Sequence, residues 1–147
     1  MRSDEDEKKD DSVDGSPVTY EQFSRVWKTM EGYQGKFDYL RNIRNVLQEK
    51  LFRTEVPPNV FAEIIDVCFE CVSLVDNVEG IVEILRTLSE CNRFGLTISF
   101  LKADERKRCA ALFRELIVGS TSRNELLKRS VESLASTYGT ELADNEM

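Results

Sequence analysis

The chain contains no histidine. That removes Ser-His-Asp and Cys-His arrangements, the side chain that titrates nearest neutral pH, and the commonest metal ligand. Glycine and proline are sparse, seven and three in 147 residues. None of the glycines lies in a phosphate-cradling loop, since Gly32 and Gly35 have neither a Lys-Ser pair nor a strand beside them. No apolar run approaches the roughly 18 residues a bilayer-spanning helix needs. The first residues are charged and acidic, so neither a secretory signal nor an Arg-rich transit leader is expected. Basic excess is lacking too: 20 Lys and Arg stand against 27 Asp and Glu. Nucleic acid and membrane surfaces are therefore poor candidate partners. These absences point to a non-catalytic protein with no resident cofactor or metal.

What is present fits a single helical domain. At 147 residues and 41% hydrophobic, folding removes about two-thirds of the unfolded surface from water, enough for one core. Charge is concentrated at the start. Residues 1–16 hold seven acidic residues against Arg2, Lys8 and Lys9, and almost nothing apolar. This stretch is expected as a disordered acidic tail, and Ser3, ahead of Asp4, Glu5 and Asp6, as a modifiable serine or a passive part of a solubilising leader. Residues 17–139 are expected as the folded domain and 140–147 as a flexible C-terminus.

Across that domain the apolar residues recur at helical spacing. Thr19 and Gln22 form a capping box before Tyr20, Phe23, Val26, Trp27 and Met30, which share one face. Gly32 and Gly35 interrupt. Phe37, Leu40, Ile43, Leu47 and Leu51 predict a second helix, bent near Asn45. Pro57-Pro58 opens a third, with Phe61, Ile64, Ile65, Cys68 and Val72 inward. Asp76 or Asn77 caps a fourth, which turns in Ile81, Val82, Ile84, Leu85 and Leu88. Asp104 stands at the head of a helix burying Cys109, Leu112, Phe113 and Leu116. Ser122 and Glu125 form a second capping box, before Leu127, Val131, Leu134 and Tyr138, and Gly139 suits a left-handed C-terminal cap. The expected fold is all-α, a compact bundle or array of six to seven short helices. Trp27, Phe52, Leu85, Phe94 and Phe113 are its expected core.

Two segments carry chemistry worth weighing. Cys68-Phe69-Glu70-Cys71 has redox spacing, but it falls mid-helix, away from the N-terminus that would lower a thiol pKa. With Cys91 and Cys109 it matches no common zinc spacing. These thiols read as core, free in a reducing cytoplasm. Residues 93–101 are harder to place. As a strand they would put Leu96, Ile98 and Phe100 on one face. As a helix they put Phe94, Ile98 and Leu101 on one face and Arg93, Leu96 and Phe100 on another. A helix with two apolar faces is either wholly buried or bound to something. The residues alone leave open whether Arg93, Leu96 and Phe100 are partner anchors or part of a central helix whose Arg93 caps a neighbour.

Trp27, Lys50-Leu51-Phe52-Arg53-Thr54-Glu55-Val56, Ile84-Leu85-Arg86-Thr87-Leu88-Ser89, Arg93-Phe94 and the stretch from Phe100 to Phe113 resemble one domain family. It is the C-terminal domain of RNA polymerase II-associated protein 3, shared with coiled-coil domain-containing protein 103 and sperm-associated antigen 1. The likeness runs over about residues 18–118, and loosely through the last helix to Tyr138-Gly139. Within it, Leu51 to Val56 and Glu105-Arg106-x-x-Cys109 look closest to coiled-coil domain-containing protein 103. That resemblance implies a cytoplasmic adaptor for assembling axonemal dynein arms, found in the cytoplasm and in the cilium or axoneme. The polymerase-associated relative implies instead a co-chaperone of RuvB-like AAA+ ATPases and Hsp90, assembling RNA polymerase and other large complexes. It also implies that Arg93, Leu96 and Phe100 lie on the docking surface. The protein partners implied are the RuvB-like ATPase, dynein arm subunits or other assembly factors. Neither tetratricopeptide repeats nor a leading coiled coil stands in these 147 residues, so what those segments do in relatives is not carried over.

Overall fold

The Thr19 Oγ1 accepts a hydrogen bond from the Gln22 amide at 3.1 Å, capping the first described helix. The computed structural model describes residues 19–52, 55–73, 77–121 and 125–140. Among these are seven α-helices and no strand. They are α1 (Tyr20–Thr29), α2 (Tyr33–Val46), α3 (Pro58–Cys71), α4 (Val78–Ser89), α5 (Phe94–Ser99), α6 (Ala103–Thr121) and α7 (Glu125–Thr137), with one π-helical turn over Leu47–Leu51 after α2. The acidic stretch 1–16, residues 141–147, Asp76 and Ser122 lie outside the described residues, and so do the expectations placed on them.

Glycine marks only one of the two interruptions expected between α1 and α2. Gly32 takes φ +86°, a left-handed conformation that suits glycine, and starts α2. Gly35 instead lies inside the first turn of α2. The bend expected near Asn45 is the π turn just beyond it. The Phe52 amide reaches back five residues to the Leu47 carbonyl at 2.8 Å. The extra residue in that turn brings Leu47, Leu51 and Phe52 all into the core.

Pro58 occupies the first position of α3, where its missing N–H costs nothing. Seven residues of α3 are buried, because it lies between α2 on one side and α6 on the other. Asn77 occupies the N-cap position of α4 but makes no capping bond with its side chain. Its amide nitrogen donates instead to the Cys71 carbonyl at 2.9 Å and to Gln34 Oε1 at 3.3 Å, closing the C-terminal end of α3. Gly139 takes φ +78° after α7, as a left-handed cap.

Two aromatic clusters anchor the core. Phe23 packs against Tyr20, Trp27, Tyr39 and Phe52, and the Trp27 indole N–H donates to Glu63 at 2.8 Å. Phe61, Phe94, Phe113 and Tyr138 form the second cluster. The Tyr138 hydroxyl, fully inside, donates to the Leu85 carbonyl at 2.6 Å. Trp27, Phe52, Leu85, Phe94 and Phe113 are all buried, and each such side chain stabilises the fold by about 1.5–3 kcal/mol. Val26 departs from the helical pattern: it stands partly in solvent, one position off the stripe that Phe23 and Trp27 bury.

Candidate functional site

Within residues 93–101 a helix forms over Phe94–Ser99, with Arg93 and Phe100 as its caps, and the two faces of the segment separate cleanly. Phe94 packs edge-on against Tyr138, ring centroids 4.8 Å apart, and against Phe61 at 6.1 Å. Thr97 and Leu101 are buried with it, and Ile98 is half-buried against the core. The opposite face holds Leu96 and Phe100, which leave 43% and 63% of their surfaces in water. Arg93 is also exposed, at the head of the helix. Phe100 is thus a large aromatic left mostly in water at the end of the helix that buries Phe94.

Thr97 was not visible as a contributor. Its hydroxyl donates to the Val56 carbonyl at 2.8 Å in the interior, tying α5 to the segment before α3. Its spacing three residues after Phe94 and four before Leu101 was the available signal, masked by its polarity. A buried hydroxyl left without an acceptor would cost about 1–3 kcal/mol. The bond therefore fixes which face of α5 turns inward.

The C-terminal end of α5 is held by the next helix. Arg106 donates from Nε to the Leu101 carbonyl and from Nη2 to the Ser99 carbonyl, both at 3.2 Å. Glu105 accepts from the Lys102 amide at 2.8 Å and so caps α6. The two Arg106 bonds satisfy carbonyls that a helix end leaves open, and they hold Phe100 where it projects. The N-terminal end is strained. Arg93 takes φ +61°, ψ +28°, the single left-handed non-glycine conformation among the described residues.

The cysteines do no comparable work. All four are free and buried. Burial, with smaller contributions from Cys71 and Cys109, pushes the Cys68 thiol far above its ordinary value. Burial likewise raises Cys91 to about 11 and Cys109 to about 12. A reactive thiol needs the opposite shift. Among the described residues, no three His, Cys, Asp or Glu side chains stand so as to hold a metal ion, and no helix is long and apolar enough to cross a membrane.

A second exposed apolar group was missed. Val118 and Leu126 stand largely in water on either side of the α6–α7 connection. Leu126 and Leu127 border a shallow groove of about 310 Å³ with Val82, Glu83 and Arg86 of α4.

Fold and surface together define a class: a small all-α domain that presents an apolar stripe from a short, rigidly held helix. Within that class the chain belongs to the family described as the potential Monad-binding region of RPAP3, matched over residues 16–106. It is 32% identical to mouse RNA polymerase II-associated protein 3 over 103 residues, which is 70% of this chain and 15% of that protein. It is 25% identical to zebrafish dynein axonemal assembly factor 19 over 132 residues, 88% of this chain and 53% of that protein. The chain thus spans only a fraction of either relative's length. Among solved structures, it is similar to the NMR structure of the C-terminal domain of human RPAP3, with a TM-score of 0.66 and 27% identity over 84% of this chain and 89% of that one.

Proposed function

We propose that this domain is a non-catalytic docking adaptor in the cytoplasmic assembly of axonemal dynein arms, and that it captures its partner through the outer face of α5. The carrying observation is the exposure of Leu96 and Phe100 on a helix whose other face is locked into the core by Phe94, Thr97 and Leu101. Arg and aromatic side chains dominate interface hot spots, and here both flank an aliphatic anchor. A pre-held surface loses little conformational freedom on binding, which favours affinity for a given area. The dynein reading is supported by Leu51 to Val56 and Glu105-Arg106-x-x-Cys109. It is also supported by the likeness to a dynein axonemal assembly factor, which extends over 132 residues.

A second reading is supported by the polymerase-associated relatives. In that reading the same face docks the domain onto a RuvB-like AAA+ ATPase, working with Hsp90 in the assembly of RNA polymerase and other complexes.

One experiment separates them. The protein and its Leu96→Asp/Phe100→Asp variant are used as baits in extracts of a ciliated cell. Dynein heavy chains retained by the wild-type protein alone support the first reading. RuvB-like ATPases and polymerase subunits, without dynein, support the second. Because both side chains lie outside the core, helical circular dichroism and melting temperature stay close to wild type while capture falls at least about ten-fold, as expected for loss of two anchor residues. Equal capture by the variant would move the interface elsewhere, and a variant that unfolds would make those side chains core.

A further inference from the structure

We propose that Ser3 is a phosphorylation site, taking the γ-phosphoryl group of ATP from a serine/threonine kinase that reads acidic residues on the C-terminal side of its target. Ser3 lies outside the described residues, and the proposal is independent of what docks on α5.

The first observation is the density of acid behind this one hydroxyl. Asp4, Glu5, Asp6 and Glu7 occupy all four positions after Ser3. Elsewhere the four residues after a serine or threonine hold at most two acids, and two only after Thr140, where Glu141 and Asp144 follow. A kinase selects its target by the charge pattern around the hydroxyl, with Lys and Arg of its groove opposite the substrate's carboxylates. Four adjacent carboxylates at a fixed distance from one hydroxyl give such a groove both attraction and register. Arg2, one position before Ser3, is a single cation where a basic-directed kinase would need several.

The second observation is what the fold does with its other hydroxyls. Thr87, Ser89, Ser99 and Thr137 lie in helices, and each donates to a backbone carbonyl three or four residues earlier. The Thr97 hydroxyl is buried on the Val56 carbonyl. Thr140, the next most acid-flanked, donates to the Ala135 carbonyl at 3.0 Å, and its own amide bonds the same carbonyl at 2.9 Å. Presenting any of these to a kinase means breaking that bond and opening the turn that carries it. Residues 1–16 have only Val13 as an aliphatic residue beyond Met1, too little apolar surface to offset the entropy of ordering. By composition, Ser3 is the acid-flanked hydroxyl that costs least to present.

The chemical step balances with Mg·ATP as the co-reactant. The Ser3 Oγ attacks the γ-phosphorus, and the bond from that phosphorus to the β–γ bridging oxygen breaks. ADP leaves with the electron pair, and the hydroxyl proton passes to the kinase's catalytic carboxylate. The product carries about 1.5 to 2 further negative charges. Residues 1–16 hold seven acids against Arg2, Lys8 and Lys9, a net of −4, and the added phosphate takes them to about −6. The whole chain moves from −7 to about −9, a change that native electrophoresis resolves.

The test uses the whole chain with Mg·ATP and two purified kinases: casein kinase II, which is directed by acidic residues, and protein kinase A, which is directed by basic ones. Casein kinase II is expected to add one phosphoryl group, seen as a single step in intact mass and placed on Ser3 by fragmentation. Ser3→Ala should remove it. Asp4→Asn/Asp6→Asn keeps the serine and the size of its neighbours, and should slow the initial rate at least about ten-fold, as expected when two opposed charge pairs are lost. Ser12→Ala should leave the rate unchanged. Protein recovered from ciliated cells in the presence of phosphatase inhibitors should carry the same group on the same residue. Incorporation into Ser3→Ala at the wild-type rate would move the acceptor elsewhere, and an equal rate for the double Asn variant would mean the acids are not read. Either result overturns the inference, as does faster transfer by protein kinase A, or a Ser3 without phosphate in the cellular protein.

Discussion

At the scale of single residues, Arg93 is the most informative position. Its left-handed backbone is a cost the fold bears, and glycine takes that conformation freely. Arg93→Gly should therefore raise stability by up to about 1 kcal/mol, a rise in melting temperature of several degrees for a domain this size. Partner capture should fall in the same variant. Differential scanning calorimetry paired with the bait experiment checks both, and a stability that drops would mean the arginine side chain supports the fold. Nothing in the sequence announced this conformation, because glycine or asparagine is the residue that advertises a left-handed turn and neither stands at position 93. Leu96 and Phe100 were legible as a stripe apart from Phe94 and Leu101, but the residues alone left open whether that stripe faced water or lay in a central helix, and packing decides it.

At the scale of elements, α5 is six residues long, too short to persist by itself. Its order is imposed by Phe94 in the aromatic cluster, by the Thr97–Val56 bond and by the Arg106 clasp. Thr97→Val keeps the shape and removes the hydroxyl, leaving a carbonyl unpaired. The expected cost is about 1–3 kcal/mol, felt mainly at α5. Hydrogen exchange at the amides of Thr97 to Leu101 should quicken before that of α3 or α6. If exchange rises uniformly, the bond serves the whole fold and not this helix. Helix content was legible because apolar residues at three- and four-residue spacing admit few other structures. The π turn after α2 was not, since Leu47, Leu51 and Phe52 suit either a bend or a continued helix, and only packing decides. Asn77 was legible as a boundary, but its bonds go to the Cys71 carbonyl at the end of the preceding helix and to Gln34, 43 residues away, and only the fold brings Gln34 there.

At the scale of the molecule, the four buried thiols and Tyr138 make stability pH-dependent on the alkaline side. Cys91 and Cys109 ionise at about 11 and about 12 in the fold, from ordinary values of 9.0, and Tyr138 well above 10.0. A raised pKa in the folded state means that the unfolded chain releases its proton first as pH rises. The stabilisation is therefore complete below about pH 9 and is lost as pH climbs through the window up to the folded values. Each thiol removes about 1–2 kcal/mol per pH unit within its window. Urea unfolding should show a clear loss of stability between about pH 7 and about pH 10, and replacing Cys109 by alanine should flatten the slope. Equal midpoints at both pH values would mean the thiols ionise in place.

Most of the architecture was readable from one chain because burial is periodic in it. The exposed pair Val118 and Leu126 was not, since an apolar residue at a helix end carries no mark of which way it points.

The ring of Tyr138 touches both Phe94 and Phe61, and its hydroxyl holds Leu85. The family match ends at residue 106, yet the wedge that seats α5 arrives more than thirty residues later. Trimming the protein to the recognisable family stretch would keep every anchor side chain and discard the keystone beneath them. In the docking proposed above, Tyr138, just beyond α7, would matter as much as the helix that does the touching.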